Sequence, residues 1–263
     1  MTDNGYVIAI DIGTTSAKAL LYRISGDIES YAFEDYPTYY PESGFVEQNP
    51  DEVLKAVINV LRSLTRNTGI APKSVSGMAF GGVWQSLIPV DRSGKALARA
   101  MLWADSRSKT QNERLRSDFQ GERVKKKTGC TIHPMYFPPR LLWYKEELPE
   151  IYKRTHKFIS IKEYILYHFF GEFTVDKSVA SGTGILEMAT TDWDRKLLDV
   201  LGIRPEKFSY IMETTALLKK GLRQEIASQV GLLAGTPGII GAADGALSHL
   251  GSVGLADSRM SLT

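Results

Sequence analysis

The sequence predicts a mixed α/β lobe, and three observations predict it: consecutive short apolar strands at the start, a capped amphipathic helix after them, and a helix-rich middle that leads to a last small apolar strand. Residues 6–11, 17–23 and 28–36 read as strands joined by short turns, the second turn carrying Ser25, Gly26 and Asp27. A helix follows. Asn49 suits the N-cap, Pro50 the first helical position and Glu52 a capping-box partner, while Val53, Val57, Val60, Leu61 and Leu64 recur as one apolar stripe that Gly69 ends. Residues 75–80 and 86–90 read as further strands, with Asp91 to Gly94 as the turn after them. Residues 113–119, 141–147 and 161–170 have helical composition, separated by Thr128-Gly129, Pro138-Pro139 and Gly171. Residues 237–243 then form a small apolar strand that runs into Asp244 and Gly245.

Composition narrows the class of protein. At 263 residues, 43% hydrophobic and 24% charged, the chain can bury a large core in one or two units. A formal net charge of +2 argues against nucleic acid as a partner, and the one dense basic run, Lys125 to Lys127, reads as a solvated helix face. Cys130 is the single cysteine, which suits a reducing compartment and excludes an internal disulfide. Asp11 interrupts the first apolar run, so neither a signal peptide nor a spanning helix is expected, and the cytoplasm is the expected location.

The first hairpin carries chemistry. Between its strands, Gly13 permits close backbone approach and Thr14, Thr15 and Ser16 add hydroxyls to the turn's N–H groups, a concavity suited to phosphate oxygens. Asp11 at the strand end can hold Mg²⁺ directly or through water, and Lys18 can neutralise phosphate charge. Neither G-x-x-x-x-G-K-[ST] nor G-x-G-x-x-G occurs here. The same residues also suit an ordinary glycine hairpin. Asp244 repeats the theme, since an acid that ends a strand before glycine and a helix lies at a sheet edge, where ligand sites of α/β proteins gather.

Taken in order and spacing, D11-I-G-T-T-S-A-K18, W103-A-D-S-R107 and G241-A-A-D-G245 resemble the amino-terminal half of FGGY carbohydrate kinases. H133-P-M-Y136 and F158-I-S-I-K-E-Y-I-L-Y167 are similar to gluconate kinases within that family. The resemblance spans nearly the whole chain. It implies an actin-like (ribonuclease H-like) sugar-kinase lobe, a mixed sheet flanked by helices. It also implies an ATP-dependent phosphorylation of a sugar or sugar acid, gluconate to 6-phosphogluconate first, with Mg²⁺. Xylulose or another polyol as substrate, and a non-catalytic sugar-binding lobe, are the alternatives.

Residue by residue, the resemblance assigns Asp244 as the catalytic base that takes the sugar hydroxyl's proton, with a helix cap as the structural alternative. It assigns Asp11 to metal and phosphate, and Gly13, Thr14, Thr15 and Lys18 to the first phosphate loop. Trp84 and Gln85 stand in the segment that presents side chains to the sugar; Gln85 replaces a histidine common in related gluconate and xylulose kinases. Trp103 and Asp105 match a segment lining the same cleft, and His133 and Tyr136 a loop facing it. Arg107, Arg140 and Lys162 are the candidates to meet a gluconate carboxylate. Sugar and ATP are the implied partners, with no membrane partner, and a homodimer is allowed. Residues 1–263 are expected to form the sugar-binding lobe, 258–263 reading as a strand that enters a further phosphate loop. The nucleotide-binding lobe is expected to lie outside this sequence, leaving the isolated chain inactive.

Overall fold

The computed structural model describes residues 5–118 and 121–254, so Phe119 and the strand read at 258–263 lie outside the described residues. A five-stranded sheet organises the chain. β1 (Tyr6–Ile12), β2 (Ser16–Arg23) and β3 (Ile28–Asp35) form an antiparallel meander. On the other side of β1 lies the parallel strand Val75–Gly82, and beyond it the short parallel strand Gly238–Ile239. Period-two alternation sets the faces: Ile8, Ile10 and Ile12 of β1 and Ala17, Ala19 and Leu21 of β2 are buried on one side.

That side packs on helix α1 (Pro50–Thr68), whose apolar stripe is buried as its spacing requires. Asn49 caps it by accepting from the Asp51 N–H, and Gly69 closes it at φ 61°. Glu52 does not complete a capping box; its carboxylate accepts from the Tyr39 hydroxyl at 3.0 Å. The same core takes in helix Ile161–Phe170, where Phe80 meets Phe169 and Phe170 edge-on at 5.9 and 5.7 Å. Here the capping box is complete, Ser160 and Glu163 exchanging both hydrogen bonds. A second core lies around helices Phe137–Glu147, Lys177–Ser181 and Arg195–Leu201.

Several expected boundaries move for physical reasons. Pro138 and Pro139 start the helix Phe137–Glu147 rather than separating helices, because the first turn needs no N–H partner. Only Ile88–Val90 of the 86–90 run is a strand, and it pairs with Lys157–Ile159 outside the main sheet. The helix expected at 113–119 begins earlier, at Lys109. The basic run lies on helix Gly121–Thr128, where Lys127 pairs with Glu187 at 2.9 Å. Of residues 237–243 only Gly238–Ile239 joins the sheet, although Ala243 still bridges Gly82. Gly241 explains the break: its φ is +70°, and a β-carbon there would lie 1.9 Å from the Phe80 carbonyl oxygen. Among the described residues no helix is long and apolar enough to cross a membrane.

Candidate active site

The carboxyl ends of the parallel strands form the site. Asp11 pairs in register with Gly81, and Gly82 bridges Ala243, so Asp11 and Asp244 flank the end of strand Val75–Gly82. Two strand spacings separate their backbones, ~10 Å. Gly81 keeps the space between them open, since a β-carbon there would sit 3.0 Å from Leu247 Cδ1 and 3.8 Å from Asp11 Oδ1. Asp11, Gly81, Asp244 and Gly245 line one cleft of about 600 Å³.

Asp244 is the first residue of helix Asp244–Val253, with Ala243 at the N-cap. It does not cap in the regular way; its Oδ1 accepts from the adjacent Gly245 N–H at 2.8 Å. Burial holds its carboxyl above the usual aspartate range, Asp11 adding to the rise and the Gly245 hydrogen bond opposing it. Lys18 stands opposite Asp11 across the hairpin, Nζ 3.7 Å from the carboxylate, and both remain substantially exposed.

The turn between them is fixed from behind. The Tyr36 hydroxyl donates to the Gly13 carbonyl at 2.5 Å, the buried Gln48 amide to the Thr14 carbonyl at 2.6 Å, and the Tyr36 N–H to the Thr15 carbonyl at 3.1 Å. The carbonyls are thereby turned inward and held. Among the described residues the Thr14 and Thr15 N–H groups take no protein partner, which leaves them as donors for an anion. Tyr36 and Gln48 escape a sequence reading because they lie 23 and 34 residues from the carbonyls they hold.

The proposed sugar residues lie on neighbouring loops and line no part of the Asp11–Asp244 cleft. Trp84 touches it indirectly. Its indole is wedged between Gly182 and Gly245, where added β-carbons would come within 2.7 and 3.2 Å of the ring, and its Nε1 donates to the Ser178 carbonyl at 2.9 Å. Trp84 therefore supports the start of the Asp244 helix. Gln85 adopts φ +55°, a left-handed conformation uncommon for a side chain of this type. Trp103 is 51% exposed, which places it outside any core. His133 is exposed, its Nδ1 accepting from the Met135 N–H at 3.2 Å, and its ring lies edge-on to Tyr136 at 6.4 Å. Burial raises the Tyr136 phenol, with the nearby Cys130 thiol adding to the rise.

Asp105 lies behind this surface. Its side chain is fully buried, its Oδ2 accepts from the Val46 N–H at 2.8 Å, and Arg107 donates to both oxygens. A carboxylate so committed organises the loop. The three cation candidates are engaged as well. Arg107 is divided between Asp105 and Glu47 and stacks on Phe45. Arg140 is wholly buried and spends its donors on backbone carbonyls. Lys162, also buried, lies 2.8 Å from Asp176 and 3.0 Å from the Ala242 carbonyl. All three are thus engaged within the protein.

This mixed α/β lobe, with Asp11 and Asp244 on one cleft, has the actin-like fold, and comparison with known proteins gives its family. Residues 6–251 match the amino-terminal domain of the FGGY family of carbohydrate kinases, and the chain belongs to that family. Among its relatives, the gluconokinase of Bacillus subtilis (strain 168) is 36% identical over 98% of this chain and 50% of that protein. The xylulose kinase of the same organism is 28% identical over 94% of this chain and 49% of its own length. The crystal structure of gluconate kinase from Lactobacillus acidophilus superposes with a TM-score of 0.89 at 31% identity, over 94% of this chain and 49% of that one. The chain thus spans about half the length of the curated relatives it matches.

Proposed function

We propose that this chain is the sugar-binding lobe of an ATP-dependent cytoplasmic sugar-acid kinase, with gluconate as the acceptor and 6-phosphogluconate as the product. The observation that carries the proposal is the placement of Asp11 and Asp244 on one cleft across the glycine end of strand Val75–Gly82. Asp244 accepts the proton of the attacking hydroxyl, a task for which a carboxylate raised by burial is suited. The outward N–H groups of Thr14 and Thr15, with Lys18, receive phosphate oxygens. Among the described residues no cluster of three or more ligating side chains could hold a metal ion by itself. Asp11 offers one exposed carboxylate, which fits a Mg²⁺ carried by phosphates; held there, such an ion would supply charge neutralisation to the transferred group.

Gluconate as acceptor draws support from the greater identity to gluconokinases than to xylulose kinases. A second reading, xylulose or another uncharged polyol, is favoured by one observation: Arg107, Arg140 and Lys162 are all engaged within the protein. Calorimetric titration and thermal shift with gluconate, xylulose and glycerol separate the two, because a ligand stabilises the fold that binds it. Gluconate is expected to raise the melting temperature most. A preference for xylulose moves the assignment to the polyol kinases, and indifference to all three overturns the sugar-binding reading.

The nucleotide side has its own test. The chain supplies one phosphate turn, so by itself it should bind MgATP weakly and turn over sugar negligibly. In the two-lobe protein, Asp11→Asn is expected to raise the MgATP requirement and leave sugar affinity unchanged, since its proposed contact is to metal and phosphate. Steady-state kinetics with each substrate varied in turn would show it; a change confined to the sugar constant would contradict that role.

A further inference from the structure

We propose that Arg140 is the positioning residue of the sugar pocket, a single buried guanidinium that braces the three loops carrying Gln85, Trp103 and the His133–Tyr136 pair. The proposal rests on the sugar-kinase reading above and adds a residue that touches no substrate. Arg140 Nε donates to the Pro134 carbonyl at 2.9 Å, Nη1 to the carbonyls of Gln85 at 2.5 Å and Met101 at 3.5 Å, and Nη2 to the carbonyl of Leu102. Three of the four acceptors are within or directly beside a proposed sugar contact: Gln85 itself, Leu102 before Trp103, and Pro134 between His133 and Tyr136.

Three features separate this from a chance buried arginine. First, among the described residues no carboxylate contacts the guanidinium; Asp105 acts on it only through space, so the group's donors go to main chain. Second, Arg140 is the fourth residue of helix Phe137–Glu147, the end where a positive charge is disfavoured, so its position does not serve the helix. Third, Gln85 holds φ +55°, a backbone conformation that a non-glycine residue keeps where its surroundings over-determine it, and its carbonyl is one of the braced groups. Burial pulls the Arg140 pKa down to about 10, which still leaves a cation at neutral pH. A planar fork of five N–H donors can reach separate carbonyls at once; an ammonium, with three donors at one point, cannot span them.

The experiment compares wild type with Arg140→Met and Arg140→Lys by hydrogen exchange without ligand, and by titration with gluconate, xylulose and MgATP. Arg140→Met is expected to speed exchange by about tenfold at 84–86, 102–105 and 133–136 together, while the amides of β1 and β2 keep their protection. Sugar affinity should fall by roughly ten- to a hundredfold, with the nucleotide affinity changed less than about twofold. Arg140→Lys should lie between. If Arg140→Met does not fold, Arg140→Lys, which keeps the buried charge, is read in its place. Uniform loss of protection across the sheet, or unchanged sugar affinity in a variant with loosened loops, overturns the proposal. If the wild type binds no sugar, the kinase reading fails, and the exchange pattern still decides whether Arg140 braces the three loops.

Discussion

Asp244→Asn in the two-lobe protein is expected to lower kcat by roughly 10²–10⁴, the range for loss of a positioned base, while sugar affinity stays near wild type. The fold should not suffer. Burial, with Asp11 adding to it, raises the Asp244 carboxyl above the ordinary aspartate value of 3.8. The folded state therefore holds that proton more tightly than the unfolded one between 3.8 and the raised value. Stability contributed by the protonated group is lost as pH rises through that window. At neutral pH the charged carboxylate is a small liability, which the amide removes, so the variant should melt at or above the wild-type temperature. That advantage should vanish below 3.8, where both forms are neutral. Wild-type activity should fall with acid as the raised group takes up its proton. Near-normal kcat combined with a lowered melting point would mean that Asp244 serves the helix and not the chemistry.

Lys162→Met is expected to cost about 3–5 kcal/mol of folding stability, because it leaves the buried Asp176 carboxylate without its counter-charge. Both side chains are 1% exposed, so solvent cannot compensate. The loss should spread to the site. Lys162 also holds the Ala242 carbonyl, Asp176 caps helix Lys177–Ser181 through the Val179 N–H, and Ser178 in that helix accepts from both Trp84 and the Ala243 N–H. Replacing both charges together, Lys162→Met with Asp176→Leu, should recover part of the stability, since a packed apolar pair avoids the desolvation cost. It should not recover activity, because the Ala242 anchor and the helix cap are still gone. Denaturant unfolding of the single and double variants checks this; a single-variant loss below about 1 kcal/mol would show that the pair contributes little.

The parts of the molecule legible in the sequence are those whose causes are local. The β1–β2 hairpin follows from two short apolar runs and a glycine turn, α1 from Asn49, Pro50 and a five-residue stripe, and the Ile161–Phe170 helix from its composition and Gly171. The apolar run before Asp244 was readable only in part: the strand proper ends at Ile239, because Gly241 breaks it, and Asp244 opens a helix instead. What escaped depends on distance along the chain. Arg107, Arg140 and Lys162 look alike as isolated cations, and only the fold shows that each is buried against partners it could not announce. The internal partners of Asp105, Val46 and Arg107, were hidden for the same reason. Glu52 fitted a capping box by spacing, yet Tyr39 takes it.

The reach of Lys162 has a consequence for how the molecule assembles. Its two partners, Asp176 and Ala242, lie 14 and 80 residues away, whereas the β1–β2–β3 meander and α1 are built from near neighbours in the chain. Closing an 80-residue loop carries an entropic penalty that short hairpins do not face, so the meander should form early and the corner holding Asp244 should be among the last to lock. On a nascent chain the proposed phosphate turn would then stand ready before Asp244, the proposed base, is placed beside it. A folding intermediate of this lobe should accordingly be able to cradle an anion well before it could become competent for phosphoryl transfer.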